Sequence, residues 1–308
     1  MSYTYRSKKK NVVPAAARTA DGLIPASLGV ASRIFRKKGW SFGEESTPED
    51  NFVFNNYVRM ISLLSPGEQY LLLKLTNDFI RIGLNDYITL FDDALNQVPE
   101  TMAPDGADVF IVPILKKADI DAHLTKSGNF SFYLNLAAVI PYCARFERCN
   151  IRRVDTIYDL PGKRGAARNC CVLMVDDFIG TGDTVDDFIE IYESTFKEQG
   201  DSVAIVAVAA LKTGVDAMED MGYSLFAGLI QGKGIADSQS ISDKKHAYSL
   251  MNAIESRLDV MSFCNNGYRG SEALIKLLRC PDNTFPVFWC DRTSDGKEWP
   301  APFRRVSY

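Results

Sequence analysis

The sequence predicts an α/β protein with a parallel-sheet core, preceded by a helical segment and followed by a C-terminal hood. Three observations point there. Short apolar runs of the kind buried on both faces of a sheet begin after Asp108. Those runs alternate with amphipathic stretches of helical period, the pattern of strands covered by helices on both sides. Ahead of them, residues 47–98 carry helical periodicity only.

Residues 1–46 are rich in Ser, Ala, Gly and basic residues and hold no sustained period, so they read as an irregular basic arm. Thr47-Pro48-Glu49-Asp50 is an N-cap, a first-turn proline and two first-turn acids. Phe54, Tyr57, Val58, Ile61 and Leu64 follow at helical spacing. Ser65-Pro66-Gly67-Glu68 repeats the start signal as a capping box, ahead of the stripe Leu71, Leu72, Leu75, Phe79 and Ile82. A third helix covers Tyr87–Val98, and the helical segment as a whole spans 47–100. The α/β core then runs over 101–264. Its strands are predicted at Val109–Ile114, Cys171–Val175, Val203–Ala209 and Leu225–Gln231, and its helices at Val185–Gln199 and Val215–Met221. Residues 265–308, rich in aromatics and turns, form the hood.

Composition removes several classes of function. The chain has 308 residues, 46% hydrophobic and 24% charged, ordinary values for a globular protein. No apolar run approaches the roughly 20 residues of a membrane span, and the N-terminus has no apolar signal core, so a cytoplasmic protein is expected. Seven cysteines without a C-x-x-C pair, and two histidines, speak for reduced thiols and against a structural zinc site. The net charge of −4 conceals an asymmetry: residues 1–40 hold nine basic residues and one acid, a surplus of +8 over a body of −12. Such an arm suits an anionic partner such as nucleic acid, or is simply a solvated tail. Arg33, Arg36, Lys37 and Lys38, with Trp40 available to stack on a base, are its densest cluster.

The chemistry concentrates at residues 171–184, Cys-Val-Leu-Met-Val-Asp-Asp-Phe-Ile-Gly-Thr-Gly-Asp-Thr. An apolar strand ends in two carboxylates, a loop with two glycines follows, and an amphipathic helix begins. Gly180 and Gly182 allow a sharp turn and close approach of backbone to ligand. Successive loop N–H groups at a helix N-terminus form an anion nest, to which Thr181 and Thr184 add hydroxyls. Asp176 and Asp177, acceptors only when ionised, suit the two vicinal hydroxyls of a ribose. A nest beside a diol acceptor pair describes a ribose 5-phosphate site. No Walker P-loop occurs, since Gly232-Lys233-Gly234 lacks its spacing.

This segment resembles the phosphoribosyl-pyrophosphate (PRPP) signature of type I phosphoribosyltransferases: apolar strand, two acids, two apolar residues, one variable residue, then T-G-x-T. The resemblance implies that Asp176 and Asp177 hold the ribose hydroxyls and that Thr181, Gly182, Asp183 and Thr184 hold the 5-phosphate. It also implies a pyrophosphate loop after the first core strand, here Lys116 and Lys117, and a basic flexible loop, here Asp159–Gly165 with Arg164, followed by Arg168. Lys126-Ser127 lies between them. Gly180 stands where members acting on 6-oxopurines carry Asp, which argues against that substrate group. Gly267–Leu274 and Asn283–Trp289 are similar to the C-terminal signature of the conflict-system group called PRTase-CE, a resemblance extending over roughly residues 50–300. It implies a Mg²⁺-assisted reaction at ribose C1 using PRPP or a nucleotide, and Tyr268, Arg269 and Trp289 are candidates for the acceptor pocket. It further implies a toxic effector of an anti-phage, retron-type locus, beside a reverse transcriptase, its DNA/RNA hybrid and a DNA-binding protein. The alternative is a catalytically degenerate subunit that senses a ligand or supports assembly.

Overall fold

The computed structural model describes residues 25–116 and 136–305. In chain order its main elements are α1 (Pro25–Lys37), α2 (Pro48–Ser62), α3 (Pro66–Asp78), β1 (Ile80–Arg81), α4 (Leu84–Leu95), β2 (Asp108–Pro113) and β3 (Asn150–Arg153). They continue with α5 (Leu160–Arg164), β4 (Cys171–Ile179), α6 (Asp183–Thr195), β5 (Ser202–Leu211), α7 (Lys212–Asp220), β6 (Ser224–Gln231), α8 (Lys244–Glu255) and β7 (Ile275–Lys276). These form two compact units, each assembled from separate stretches. One takes the chain up to Phe79, Gln239–Asn266 and the chain from Phe285; the other takes Ile80–Ser238 and Gly267–Thr284. The partition cuts across the contiguous segments expected from the sequence. The third helix of the helical segment, α4, packs on β5 and β6 and so belongs with the sheet.

In the first unit the capping chemistry is as the sequence predicts. Thr47 accepts from the Asp50 N–H at 3.1 Å, and Ser65 and Glu68 close a capping box. Glu68 also takes a 2.8 Å bond from Arg257. Residues 25–37 depart from the irregular arm expected of them and form α1. Ser and Gly dilute its pattern, yet Ala31, Ile34 and Phe35 are buried at helical spacing. The Phe35 ring lies 5.0 Å from Trp40, 5.1 Å from Phe54 and 5.3 Å from Tyr57. Trp40 in turn meets Phe79 and Phe303 edge-on at 6.2 and 6.1 Å. Edge-to-face packing of this kind is favourable beyond area burial alone.

Glu255, at the end of α8, is 2% exposed. It accepts the Asn266 N–H at 2.6 Å, while Oε1 has no hydrogen-bond partner among the described residues. Burial pushes its carboxyl up from 4.5 to about 8. A raised acid holds its proton in the fold and loses it on unfolding, so this group's contribution falls as pH rises from 4.5 to about 8 and is level above that. Glu255→Gln therefore gains on the wild type by at most about 1.4 kcal/mol per pH unit over that window. Urea unfolding of both proteins at several pH values checks the expectation; parallel stability curves would contradict it.

The second unit is built on a five-stranded, wholly parallel sheet of order β3-β2-β4-β5-β6. Its two faces carry alternate residues of the central strand. Cys171, Leu173 and Val175 enter one apolar core with Phe91 and Leu95 of α4, and Val172 and Met174 enter the other with Phe188 and Tyr192 of α6. All four predicted core strands are present. The sequence reading missed β3, whose Asn-Ile-Arg-Arg is an edge strand with charges and carries no apolar run. β4 also runs four residues beyond its predicted end, because Phe178 and Ile179 stay in register with Ala209 and Ala210 of β5. The carboxylate pair thus lies inside the strand. β1 and β7 form a separate parallel pair that ties residues 267–284 into this unit.

Candidate functional site

The strand order reverses between β2 and β4: the chain steps outward from β2 to β3, then crosses back to β4 and continues to β6. Open α/β sheets bind ligands outside the carboxyl ends of their strands at such a switch point. A small cleft lies there, lined by Pro113, Ile114, Leu115, Leu136, Val175, Asp176 and Asp177. Ile114 is held to β4 by a 3.0 Å bond to the Val175 carbonyl.

Asp176 and Asp177 are half-buried. Asp176 Oδ1 accepts the Asp177 N–H at 2.8 Å. Burial, and then repulsion from Asp177, push Asp176 well above the usual carboxylate range; burial pushes Asp177 upward too. Asp177 Oδ2 also faces the hydroxyl of buried Tyr87 on α4, at 3.5 Å, and that hydroxyl accepts the Leu278 N–H at 3.0 Å. In the sequence Tyr87 is only the first residue of the third predicted helix, and nothing in its spacing marks it as a site residue.

Past the pair, β4 gives way to Gly180-Thr181-Gly182 and the first turn of α6. Gly182 caps that helix at φ +94°, and a Cβ there would lie 2.9 Å from Met218 Cε and 3.4 Å from Ala217 Cβ. The loop and the 13-residue α6 therefore present N–H groups at the helix N-terminus, beside the hydroxyls of Thr181 and Thr184. The acids of the first turn are partly offset: Arg269 Nη1 lies 2.8 Å from Asp183 Oδ2, an ion pair whose approach is not that of an aligned hydrogen bond. Arg269 has φ +52° and ψ +34°, and its guanidinium lies 5.5 Å from the centre of the Tyr268 ring. The structure so brings Asp176, Asp177, Gly180–Thr184, Tyr268 and Arg269 into one unit, with Lys116 exposed directly after the cleft-lining Leu115.

Other candidates fall elsewhere. Arg164 does not serve this end of the sheet. It is buried and pairs with Asp201 at 2.8 Å and Glu198 at 3.2 Å. Asp201 directly precedes β5, so the pair sits at the amino ends of the strands. The flexible basic loop expected around it is partly the short helix α5. Trp289 belongs to the first unit, where the Arg305 guanidinium lies 5.4 Å from its ring centre. Trp40 is 8% exposed and packs edge-on against Phe35, Phe79 and Phe303, so it is chiefly a member of the aromatic cluster. Arg33, Arg36 and Lys37 are exposed on α1, with Arg36 over Phe42 and half-buried Lys38 over Trp40. Lys117, Lys126, Ser127 and the arm's residues 1–24 lie outside the described residues.

A parallel sheet with an acid pair at its switch point and a glycine loop opening the next helix defines an α/β protein of phosphoribosyltransferase-like build. The family model named PRTase-CE matches residues 67–305, and the chain belongs to that family. Among solved structures, the chain is similar to orotate phosphoribosyltransferase from Aeropyrum pernix, at 16% identity and TM-score 0.27, covering 65% of this chain and 93% of that one. It is also similar to adenine phosphoribosyltransferase from Thermoanaerobacter pseudethanolicus, at 18% identity and TM-score 0.24, covering 46% and 79%. No curated protein matches the chain. Among the described residues no helix is long and apolar enough to cross a membrane.

Proposed function

We propose that the sheet-containing unit binds PRPP or a nucleotide and acts at ribose C1, by glycosyl transfer or N-glycosidic cleavage. The observation that carries this reading is the half-buried pair Asp176/Asp177, which lines the switch-point cleft and leads within four residues into the loop before α6. In this reading the pair accepts hydrogen bonds from the vicinal ribose hydroxyls. The N–H groups and hydroxyls of residues 181–184 hold the 5-phosphate. As the C1 bond breaks, the ring gains positive charge, and the carboxylates beneath it lower the energy of that state. Lys116, with Lys117, offsets charge on the departing group.

Two adjacent half-buried carboxylates supply hard oxygen donors for Mg²⁺. Among the described residues no cluster of three or more His, Cys, Asp or Glu is placed to hold a metal. That donor set fits an ion completing its shell from ligand oxygens and water, as Mg²⁺ commonly does. Asp176 and Asp177 would hold it, and when bound it would supply charge neutralisation at the leaving group and the ribose hydroxyls.

The biological setting proposed is that of a toxic effector in a retron-type anti-phage system, with reverse transcriptase, DNA/RNA hybrid and DNA-binding protein as partners. The exposed cations of α1 are offered as contacts for such an anionic assembly. Incubation of the purified protein with Mg²⁺ and either PRPP together with free bases as acceptors, or each nucleotide with water as the acceptor, followed by chromatography, tests the activity. Pyrophosphate or free base released by wild type, but not by Asp176→Asn/Asp177→Asn, is expected. Binding without turnover by either protein would favour the ligand-sensing or assembly subunit instead.

A further inference from the structure

The acids of α6 pose a question for the ribose-phosphate reading. Asp183 and Asp186 sit in the first turn of that helix, where their charge opposes an anion at the loop 181–184. Asp183, itself a loop residue, has a cation beside it. Arg269 Nη1 lies 2.8 Å from Asp183 Oδ2, and both residues belong to the sheet-containing unit. The pair is one-sided. It engages a single nitrogen of the guanidinium, and apart from the Tyr268 ring no other partner of that group is found among the described residues. The Arg269 side chain keeps 62% of its surface exposed. Most of its N–H donors are therefore open to a ligand.

The backbone holds Arg269 in place at a cost. It stands at φ +52° and ψ +34°, a left-handed conformation uncommon outside glycine. Three bonds fix the turn around it. The Tyr268 N–H donates to the Asp282 carbonyl at 2.8 Å, the Gly270 N–H to the Gly267 carbonyl at 2.9 Å, and Lys233 Nζ to the Gly270 carbonyl at 2.9 Å. A residue kept strained by so many contacts points to a role for its side chain. On the loop itself, the N–H groups of Thr181 and Gly182 and the hydroxyls of Thr181 and Thr184 have no hydrogen-bond partner among the described residues. Donors of both kinds thus meet at Asp183, and an anion with several oxygens suits them. A phosphate monoester is such an anion, and the planar guanidinium fork matches its oxygens in pairs.

We propose that Arg269 is the cation of the 5-phosphate site: Asp183 holds one nitrogen of its guanidinium, and the remaining N–H groups bind phosphate oxygens together with the loop 181–184. This rests on the ribose-phosphate reading of that loop, and it moves Arg269 from the acceptor pocket to the phosphate end of the ligand. Asp183 is then a positioning residue. The acid in the T-G-x-T loop orients a cation toward the phosphate and is neutralised by it.

Calorimetric titration with ribose 5-phosphate and with adenosine monophosphate, which share the phosphate and differ by the base, tests the assignment. Arg269→Gln removes the charge from an exposed side chain and should melt as the wild type does. It should bind both ligands about 10- to 100-fold more weakly, and by the same factor. Arg269→Lys keeps the charge without the fork and should recover part of the loss for both. A loss confined to adenosine monophosphate would return Arg269 to the acceptor pocket and overturn the proposal. No loss for either ligand, or a wild type that takes adenosine monophosphate but not ribose 5-phosphate, would overturn it too, while leaving the ribose-phosphate site standing. A wild type that binds neither ligand would overturn both.

Discussion

Asp176→Asn/Asp177→Asn loses ligand binding while its fold becomes more stable at neutral pH. Each ribose hydroxyl bonded to an ionised carboxylate contributes on the order of 1.5–3 kcal/mol, so losing both weakens binding by roughly a hundredfold or more. The gain in stability comes from the same groups. Both carboxyls are raised by burial, and Asp176 further by repulsion from Asp177, so the folded pair resists ionisation. Acids raised in the fold lower stability as pH climbs past their unfolded values, and a neutral amide removes that slope. The bond from the Asp177 N–H to position 176 survives, since the Asn oxygen still accepts it. Ligand affinity carries the opposite pH dependence: diol hydroxyls donate to ionised carboxylates, so wild-type binding tightens as pH rises through the pair's elevated range. Thermal melts and titrations over a pH series read both effects. A double variant that is both less stable and still binding would contradict them.

Arg164→Met costs about 3–5 kcal/mol of stability without reaching the ligand site. The Arg164 and Asp201 side chains are 3% and 1% exposed, and their ion pair is 2.8 Å long. Removing one member of a buried pair strands the other's charge, which is where a loss of that size arises. Asp201 keeps the Tyr192 hydroxyl at 2.9 Å and the Glu198 N–H at 3.1 Å, and these soften the loss without replacing the cation. The pair joins α5 and the end of α6 to the start of β5, so its rupture loosens the amino end of the sheet. Denaturant unfolding measures the loss. Folded variant that binds ligand as the wild type does confirms that Arg164 serves the fold; an unchanged midpoint with lost binding would return it to the site.

What was legible in the sequence follows from how local each signal is. The buried strands announce themselves through apolar runs, and Thr47 and Ser65 through cap chemistry, because both depend on residues a few positions apart. The acid pair and the glycine loop are contiguous in the chain and were visible for the same reason. Tyr87 and Arg269 reach that motif from 90 and 86 residues away, measured from Asp177 and Asp183. No spacing rule connects such positions. Arg164 shows the reverse error: a basic residue in a glycine-containing stretch looks exposed, and only its partner Asp201 in the folded chain shows that it is buried.

The central claim is that residues 176–184 hold a ribose 5-phosphate, and calorimetry of the wild type and the Asp176→Asn/Asp177→Asn variant against PRPP with Mg²⁺ and against nucleoside monophosphates tests it most directly. Saturable heat for the wild type with at least one of these ligands, lost in a double variant that melts no lower than the wild type, is the expected result. No heat with any of them, or equal heat from both proteins, would contradict it.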